Sequence, residues 1–448
     1  MPPLPDPAVL SRVLTHPEAL GKDDLPHVLA AGAGGAVRAR LPEGHPLREP
    51  LRKQALDLGV RHSALRAELR PLLAAWAAEG IEVLLFKGFA LAEFEYASAG
   101  ERFHGDVDIL LPEDAALVMR AAHIALALGW RSDGQHADPA TWTHECMHLF
   151  SPQGQVRIDG HRWLVTPLSG AKTERLRNFT AQVWQRAERR DWDGIPVHLM
   201  QPLDAAVFVG LGRSWGGDTG GVKPADYLDL QLLIRKYGLD RAALQTRAEA
   251  LGGGGTWRAF EQVCQPLTQT LQLDMAQTRS LIAAGLAQDG LNARRGLWRS
   301  RMMTLKQTWP LLPSALVDVA AAWWAVRRGG DPRRHLRAWT PAHAPVRLPL
   351  RELNRRLVAV HWWVRLLYPK QFHQGVCLPR AYASYRNLRR AGHPVTFISG
   401  AGRQAGQFAA HAWIEDDHGA IEPYGEPLNR QRFGVVFSHP AEADSARR

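Results

Sequence analysis

Between residues 294 and 348 the helical patterning is cut by Pro310, Pro313, Gly329-Gly330, Pro332, Pro341 and Pro345. Proline lacks a backbone donor and pushes the preceding residue out of helix, so this stretch is helical only in places and suits a domain junction. A 448-residue chain interrupted there reads as more than one globular unit, at about 150 residues per domain. The apolar share of 46% and the charged share of 22% match ordinary folded domains, so each part can bury a core. No fixed-period repeat is visible.

Several classes are excluded early. Met1-Pro-Pro-Leu-Pro-Asp-Pro breaks any initial helix, so the order of a signal peptide is missing and a cytoplasmic location is expected. The longest apolar run, residues 316–326, contains Asp318 and is shorter than the roughly 20 residues a bilayer requires, so no stable membrane insertion is expected. Cys146, Cys264 and Cys377 are odd in number and far apart, which rules out a disulfide framework and a Cys-rich zinc site. The formal charge of +11 comes mostly from Arg and favours acidic partners. Arg and aromatic residues form no shared stripe, so no DNA partner is expected.

Along the first half, residues 51–79 carry a helical apolar period ending at Gly80. Ile81-Glu-Val-Leu-Leu-Phe86 then reads as a buried strand closed by Lys87-Gly88, with helix over 89–96. Asp106-Val-Asp-Ile-Leu-Leu111 reads as a second strand, followed by a helix over 113–128. Met147-His-Leu-Phe150 and Val156-Arg-Ile-Asp159, joined through Ser151-Pro-Gln-Gly154, read as a hairpin. Residues 203–251 are helical, broken by glycines at 216–221.

Residues two apart on a strand share a face, so Asp106 and Asp108 present paired carboxylates while Val107 and Ile109 turn to the core. Asp159, on the hairpin, can join them in one sheet. Three carboxylates suit a magnesium ion and phosphoryl chemistry. A bare Asp-x-Asp is common at strand ends, and the bland alternative is a scaffold that binds without catalysis. The wider context is more specific. Lys87-Gly88, a helix through Tyr96, Arg102, Asp106-x-Asp108, Asp159-x-His161 and the tail Asp226-Tyr-Leu-Asp229-Leu-Gln-Leu-Leu-Ile-Arg235 resemble the uncharacterised nucleotidyltransferase family of the polymerase-β superfamily. The resemblance implies metal-dependent nucleotidyl transfer using Mg2+ and a nucleoside triphosphate. Asp106 and Asp108 would be metal ligands, Asp159 a third ligand or base, and Lys87 with Gly88 the nucleotide-binding turn.

In the second half, Pro369-Lys-Gln-Phe-His-Gln-Gly375 ends an apolar helix just before Val376-Cys377-Leu378-Pro379-Arg380, which opens a new one. A cysteine at a helix N-terminus meets the positive dipole end and free N–H groups, which favour a thiolate and an oxyanion. Val395-Thr-Phe-Ile-Ser399 and Phe408-Ala-Ala-His411-Ala-Trp-Ile-Glu415 read as strands, with Ala420-Ile-Glu422 beginning a third. His411 and Glu422 can lie side by side on hairpin neighbours, the carboxylate orienting the imidazole. Alone, Cys377 reads as a small buried hydrophobe and His411 as a core histidine. Their order, with an acidic residue before Pro423, resembles the transglutaminase-like superfamily. The blocks Cys-Leu-Pro-Arg-Ala, Leu388-Arg-Arg-Ala-Gly392 and Phe408-Ala-Ala-His-Ala-Trp-Ile-Glu415 more closely resemble the leader peptidases of lasso-peptide biosynthesis. That family cleaves a leader with a Cys–His–Asp triad, here Cys377, His411 and Glu422, with Asp416 or Asp417 as alternative acids and Gln371 or Gln374 as oxyanion helpers.

The expected fold class is α+β: a nucleotidyltransferase-like mixed sheet with a helical tail, then a transglutaminase-like or papain-like α+β domain. The expected boundaries are an extension over 1–45, the first domain over 46–290, a helical junction over 291–345 and the peptidase over 346–440. The resemblance implies a precursor peptide, a separate leader-binding protein and a lasso cyclase as partners, with no cofactor for the peptidase. A nucleotidyltransferase acting on a peptide or small molecule, with the second domain binding its substrate, is the alternative. A non-catalytic adaptor is the third reading.

Overall fold

The computed structural model describes residues 9, 12–13, 16–30, 32–132, 134–154, 156–216, 224–269, 275–341, 346–368, 376–404, 407–416, 419–421 and 433–440. The chain divides into two compact units, one of residues 1–130 and 139–300, the other of residues 131–138 and 301–448. Both mix helices with a sheet, as the α+β reading expects.

In the first unit, helix α1 (Arg48–Ala78) precedes β1 (Leu84–Phe86), α2 (Lys87–Phe94), β2 (Val107–Leu110) and α3 (Ala115–Ala127). There follow β3 (Glu145–Phe150), β4 (Arg157–His161), α4 (Thr173–Gln185), β5 (Glu188–Trp192) and β6 (Ile195–Leu199). The tail is helical: α5 (Pro202–Trp215), α6 (Pro224–Tyr237), α7 (Arg241–Ala250), α8 (Gly254–Gln269) and α9 (Met275–Gln288). The six strands lie in the order β3-β4-β2-β1-β6-β5. Neighbours β2 and β4 run parallel, as do β1 and β6, while β1 with β2 and the β3–β4 and β5–β6 hairpins are antiparallel.

Strand alternation gives the sheet two apolar faces. Leu85, Val107 and Ile109 pack with Leu65, Leu69, Leu72 and Trp76 of α1 and with α3. Leu84, Phe86 and Leu110 pack toward the helical tail, among Phe208, Trp257 and Phe260. Asp108 lies between Val107 and Ile109, so it belongs to the tail-side face. The strand expected over 81–86 is shorter, Leu84–Phe86 with Val83 O accepting from His198 N, because Ile81 is still bonded back to α1 through Trp76 O.

The segment expected as an extension, 1–45, contributes Val28, Val37 and Leu41 to the same core as Leu47 and Leu51. Its helices, Leu25–Ala30 and Gly34–Arg40, are part of the first unit. Short apolar helices of this kind gain their stability from packing rather than propensity.

In the second unit, α10 (Leu312–Arg328), α11 (Leu350–Leu367) and α12 (Cys377–Arg390) pack beside a sheet of β7 (Thr396–Gln404), β8 (Gln407–Asp416) and β9 (Gly434–His439). The strand order is residues 419–420, β8, β7, β9, all antiparallel. The stretch expected as a junction over 291–345 supplies Leu312, Ala315, Val319, Ala322 and Leu336 to this core. Asp318 on α10, fully buried, accepts from Asn387 Nδ2 at 2.6 Å and Arg390 Nη2 at 2.8 Å, and also binds Arg386. Three residues of α12 thus converge on one carboxylate of α10. Residues 294–328 form a helical stretch long and apolar enough by length and composition to cross a membrane, although buried Asp318 interrupts its apolar face.

Candidate functional site

Two clusters of chemically capable side chains emerge, one in each unit. In the first, the parallel register of β2 and β4 sets Asp108 directly opposite Asp159, and Phe86 of β1 opposite Asp108. Asp106 lies just before the β2 ladder. Lys87, at the turn from β1 into α2, has φ of 59° in the left-handed region that non-glycine residues seldom occupy. That turn delivers Lys87 Nζ to Asp108 Oδ1 at 2.6 Å. Gly88 follows because a Cβ there would approach His104 Cβ to 2.9 Å. The expected residues Lys87, Gly88, Asp106, Asp108 and Asp159 therefore come together at one end of the sheet.

Burial works against the Asp108 charge, but Lys87 and the His161 N–H outweigh it and hold this carboxyl at about 2. Burial, with the charges of Asp108 and Asp159, pushes the Asp106 carboxyl up to about 6. Burial likewise raises Asp159, against the pull of Arg157, whose Nε lies 2.8 Å from Asp159 Oδ1. Crowded carboxylates of this kind suit a hard divalent cation, and the Lys87 ammonium stands in for such a charge at Asp108. Magnesium fits the donor chemistry of Asp106, Asp108 and Asp159.

The crowding at Asp106 makes stability depend on pH. As pH rises, the unfolded carboxyl ionises near 3.8 while the folded one holds its proton to about 6. The folded state loses stability through that window and stays lower above it. With metal chelated, Asp106→Asn is expected to stabilise the first unit by about 1–3 kcal/mol above pH 6, using about 1.4 kcal/mol per pKa unit. Below pH 4 the variant and wild type should melt alike, and a pH-independent difference in calorimetry would contradict the assignment.

Tyr96 and Arg102, quoted from the same motif, serve another purpose. Tyr96 OH donates to Asp229 Oδ1 at 2.8 Å, and Arg102 grips both oxygens of Asp229 at 2.8 Å. The motif residues thus bind the segment before β2 to α6 of the tail.

In the second unit Cys377 is the first residue of α12. Its thiol is hydrogen-bonded to His411 and receives the backbone N–H groups of Ala412 and Leu378. Burial opposes ionisation, yet those bonds and the His411 charge prevail and hold the thiol below its ordinary value. Pro379 has no N–H, Arg380 N is bonded to Val376 O and Leu378 N–H is held by the thiol, so the first turn leaves the N–H of Cys377 for a substrate oxyanion.

His411 lies on β8 opposite Gly400 of β7. Phe433 stacks on its ring at 5.2 Å and Trp413 at 5.8 Å. A Cβ at position 400 would come within 2.9 Å of Phe433 Cβ, so only glycine lets that ring reach His411. Trp413 is tied in turn, its Nε1 donating to Glu415 Oε1 at 2.7 Å. Of the acids proposed to orient His411, Glu422 and Asp417 lie outside the described residues, as do Gln371 and Gln374. Asp416 is described, with Oδ2 at 3.7 Å from His393 Nε2. The part played by Phe433 had no sequence signal, since it lies beyond the last motif block; Trp413 stood inside one.

The other two cysteines are chemically quiet. Burial pushes the Cys146 thiol up to about 12 and raises Cys264 strongly as well. Iodoacetamide at neutral pH is therefore expected to alkylate Cys377 and spare Cys146 and Cys264, as read by peptide mass spectrometry. In His411→Ala the midpoint of labelling against pH should move upward. Labelling of Cys146 at the rate of Cys377 would contradict the activated thiol.

Comparison with protein families gives one matching model over each cluster. A family model described as transglutaminase-like superfamily matches residues 314–438, which include Cys377 and His411. It also takes in most of α10, consistent with the place of that helix in the second core. Curated proteins and solved structures give no match. A second family model, described as uncharacterised nucleotidyltransferase, matches residues 27–256, just over half of the 448 residues. The chain belongs to that uncharacterised nucleotidyltransferase family and carries, in addition, a C-terminal transglutaminase-like domain.

Proposed function

We propose that the second unit is a cysteine peptidase that removes the leader from a ribosomally made precursor in lasso-peptide biosynthesis. The observation that carries this reading is the hydrogen bond between Cys377 and His411 at the start of α12. His411 takes the thiol proton and the thiolate attacks the carbonyl at the leader–core junction. The N–H of Cys377 receives the developing oxyanion. The imidazolium then protonates the leaving amine, which frees the core N-terminus. A water molecule, deprotonated by His411, splits the thioester to leader acid and restores the thiol. Glu422 remains the proposed orienting acid. The three lasso-type sequence blocks point to a leader as the substrate, and the freed amine is what an ATP-dependent cyclase would consume. A separate leader-binding protein and a cytoplasmic setting complete the proposal, and the peptidase step needs no cofactor.

A second reading belongs to the first unit, metal-dependent nucleotidyl transfer to a peptide or small molecule. The registered pair Asp108 and Asp159, with Lys87 on Asp108, favours it. Asp106, Asp108 and Asp159 would hold Mg2+, which supplies charge neutralisation to a nucleoside triphosphate. Lys87 would bind a phosphate oxygen.

The test is mass spectrometry of a precursor incubated with the chain and its leader-binding protein. The expected products are a leader ending in a carboxylic acid and a core with a free amine. Transfer of the leader acyl group to an added amine in place of water would make the unit a transamidase. An uncut precursor that instead gains a nucleotide, in a reaction lost in Asp106→Asn, would favour the second reading.

A further inference from the structure

We propose that the first unit also binds one transition-metal cation of the zinc class through His144, Glu145 and His161, with Asp108 orienting His161. A donor atom from each of the three residues lies within 4.8 Å of the other two. His144 Nε2 and Glu145 Oε1 are already 3.4 Å apart. Zinc bonds of about 2.0–2.2 Å in a tetrahedron place adjacent donors roughly 3.4 Å apart, so this edge is already formed.

The fold brings the donors together by strand register. Glu145 of β3 pairs with His161 of β4, and the register shifts between Glu145 and Met147. Such a bulge re-aims side chains at a strand end. The His144 and His161 rings lie 5.3 Å apart between centroids. His148 Nε2 sits 3.2 Å from Glu145 Oε2, which anchors the carboxylate from its other oxygen.

The independent observation is the placement of the His161 ring. This residue is fully buried, and its Nε2 bonds Asp108 Oδ1 at 2.9 Å. Asp108 also receives Lys87 on that oxygen, as an ionised, acceptor-only carboxylate does. Nε2 is thus turned to Asp108, and Nδ1 is the ring nitrogen left over. That atom is buried without a hydrogen-bond partner. A carboxylate that holds one ring nitrogen while the other faces a cation is the usual arrangement of a metal-ligating histidine.

Two imidazoles and one carboxylate select zinc or cobalt over magnesium, which prefers oxygen donors. The ligand set differs from Asp106, Asp108 and Asp159, with Asp108 shared only as the residue that orients His161, and the proposal depends on neither functional reading above. Three protein ligands leave one position of a tetrahedral ion for water or a substrate oxygen.

The experiment is competition for Zn2+ between the EDTA-stripped full chain and a chromophoric chelator, with Co2+ absorption as a second readout. Wild type should take up one zinc per chain, give tetrahedral cobalt bands and melt at a higher temperature with zinc. His144→Gln and Glu145→Gln, at residues only partly buried, should each weaken binding by about 100-fold or more. Asp108→Asn should weaken it by about 10–100-fold. Cys377→Ala should bind as wild type does, and millimolar Mg2+ should not displace the ion. No stoichiometric uptake by wild type overturns the proposal. So does uptake unchanged in both ligand variants, or uptake lost with Cys377, which would put the ion in the other unit.

Discussion

Replacing Cys377 with alanine is expected to lower leader cleavage by about 10⁴-fold or more, the loss that follows removal of the nucleophile from a concerted nucleophile–base pair. The substitution removes the sulfur that His411 and the N–H groups of Leu378 and Ala412 are arranged around. Neither of the other two thiols can take over, because both are buried and protonated. His411→Ala should come close to the same loss, and the double variant should be little worse than either, since the two residues act as one unit. Initial rates by mass spectrometry, with circular dichroism to establish folding, decide the matter. A folded Cys377→Ala protein that keeps a tenth of the wild-type rate would remove the peptidase assignment.

The second large effect concerns stability. Asp229→Ala is expected to destabilise the first unit by about 3–5 kcal/mol, the range for breaking a buried ion pair from one side. Arg102 loses both its partners on Asp229, and Tyr96 OH loses its acceptor. The side chains of Asp229 and Arg102 are only 3% and 13% exposed, so water cannot replace what is lost. The measurement is urea unfolding of the first unit. As a comparison, Arg177 on Glu113 is a pair whose Arg side chain is 57% exposed. Arg177→Ala should cost less than about 1 kcal/mol. Equal losses in the two variants would show that Asp229 does not hold the tail as described.

Much of this was legible in the order of residues. Alternation around Asp108 and the closing Pro112 marked β2, and the helical period over 51–79 marked α1, because burial on one face imprints its own spacing on the chain. The Lys87-Gly88 turn, the carboxylates and the Cys377 and His411 blocks carried enough local pattern to be found. Segment roles were harder to see. Residues 1–45 and 291–345 carry no strong motif, yet their apolar residues enter the two cores. The β5–β6 hairpin leaves no such mark, since Glu188-Arg-Arg-Asp-Trp192 is mostly charged and exposed along its edge.

By itself the sequence determined the elements whose signal is local: which residues could be strand or helix, and which nucleophile, base and carboxylates were present. Tertiary structure decided what those groups face. Strand register set Asp108 against Asp159 and Glu145 against His161. Packing laid Phe433 over His411 and drew Arg386, Asn387 and Arg390 onto Asp318. The physical reason is range. Periodicity and turn chemistry act over a few residues, whereas hydrogen bonding of a buried charge and the stacking of two rings depend on partners far away in the chain, which only the folded chain brings within reach.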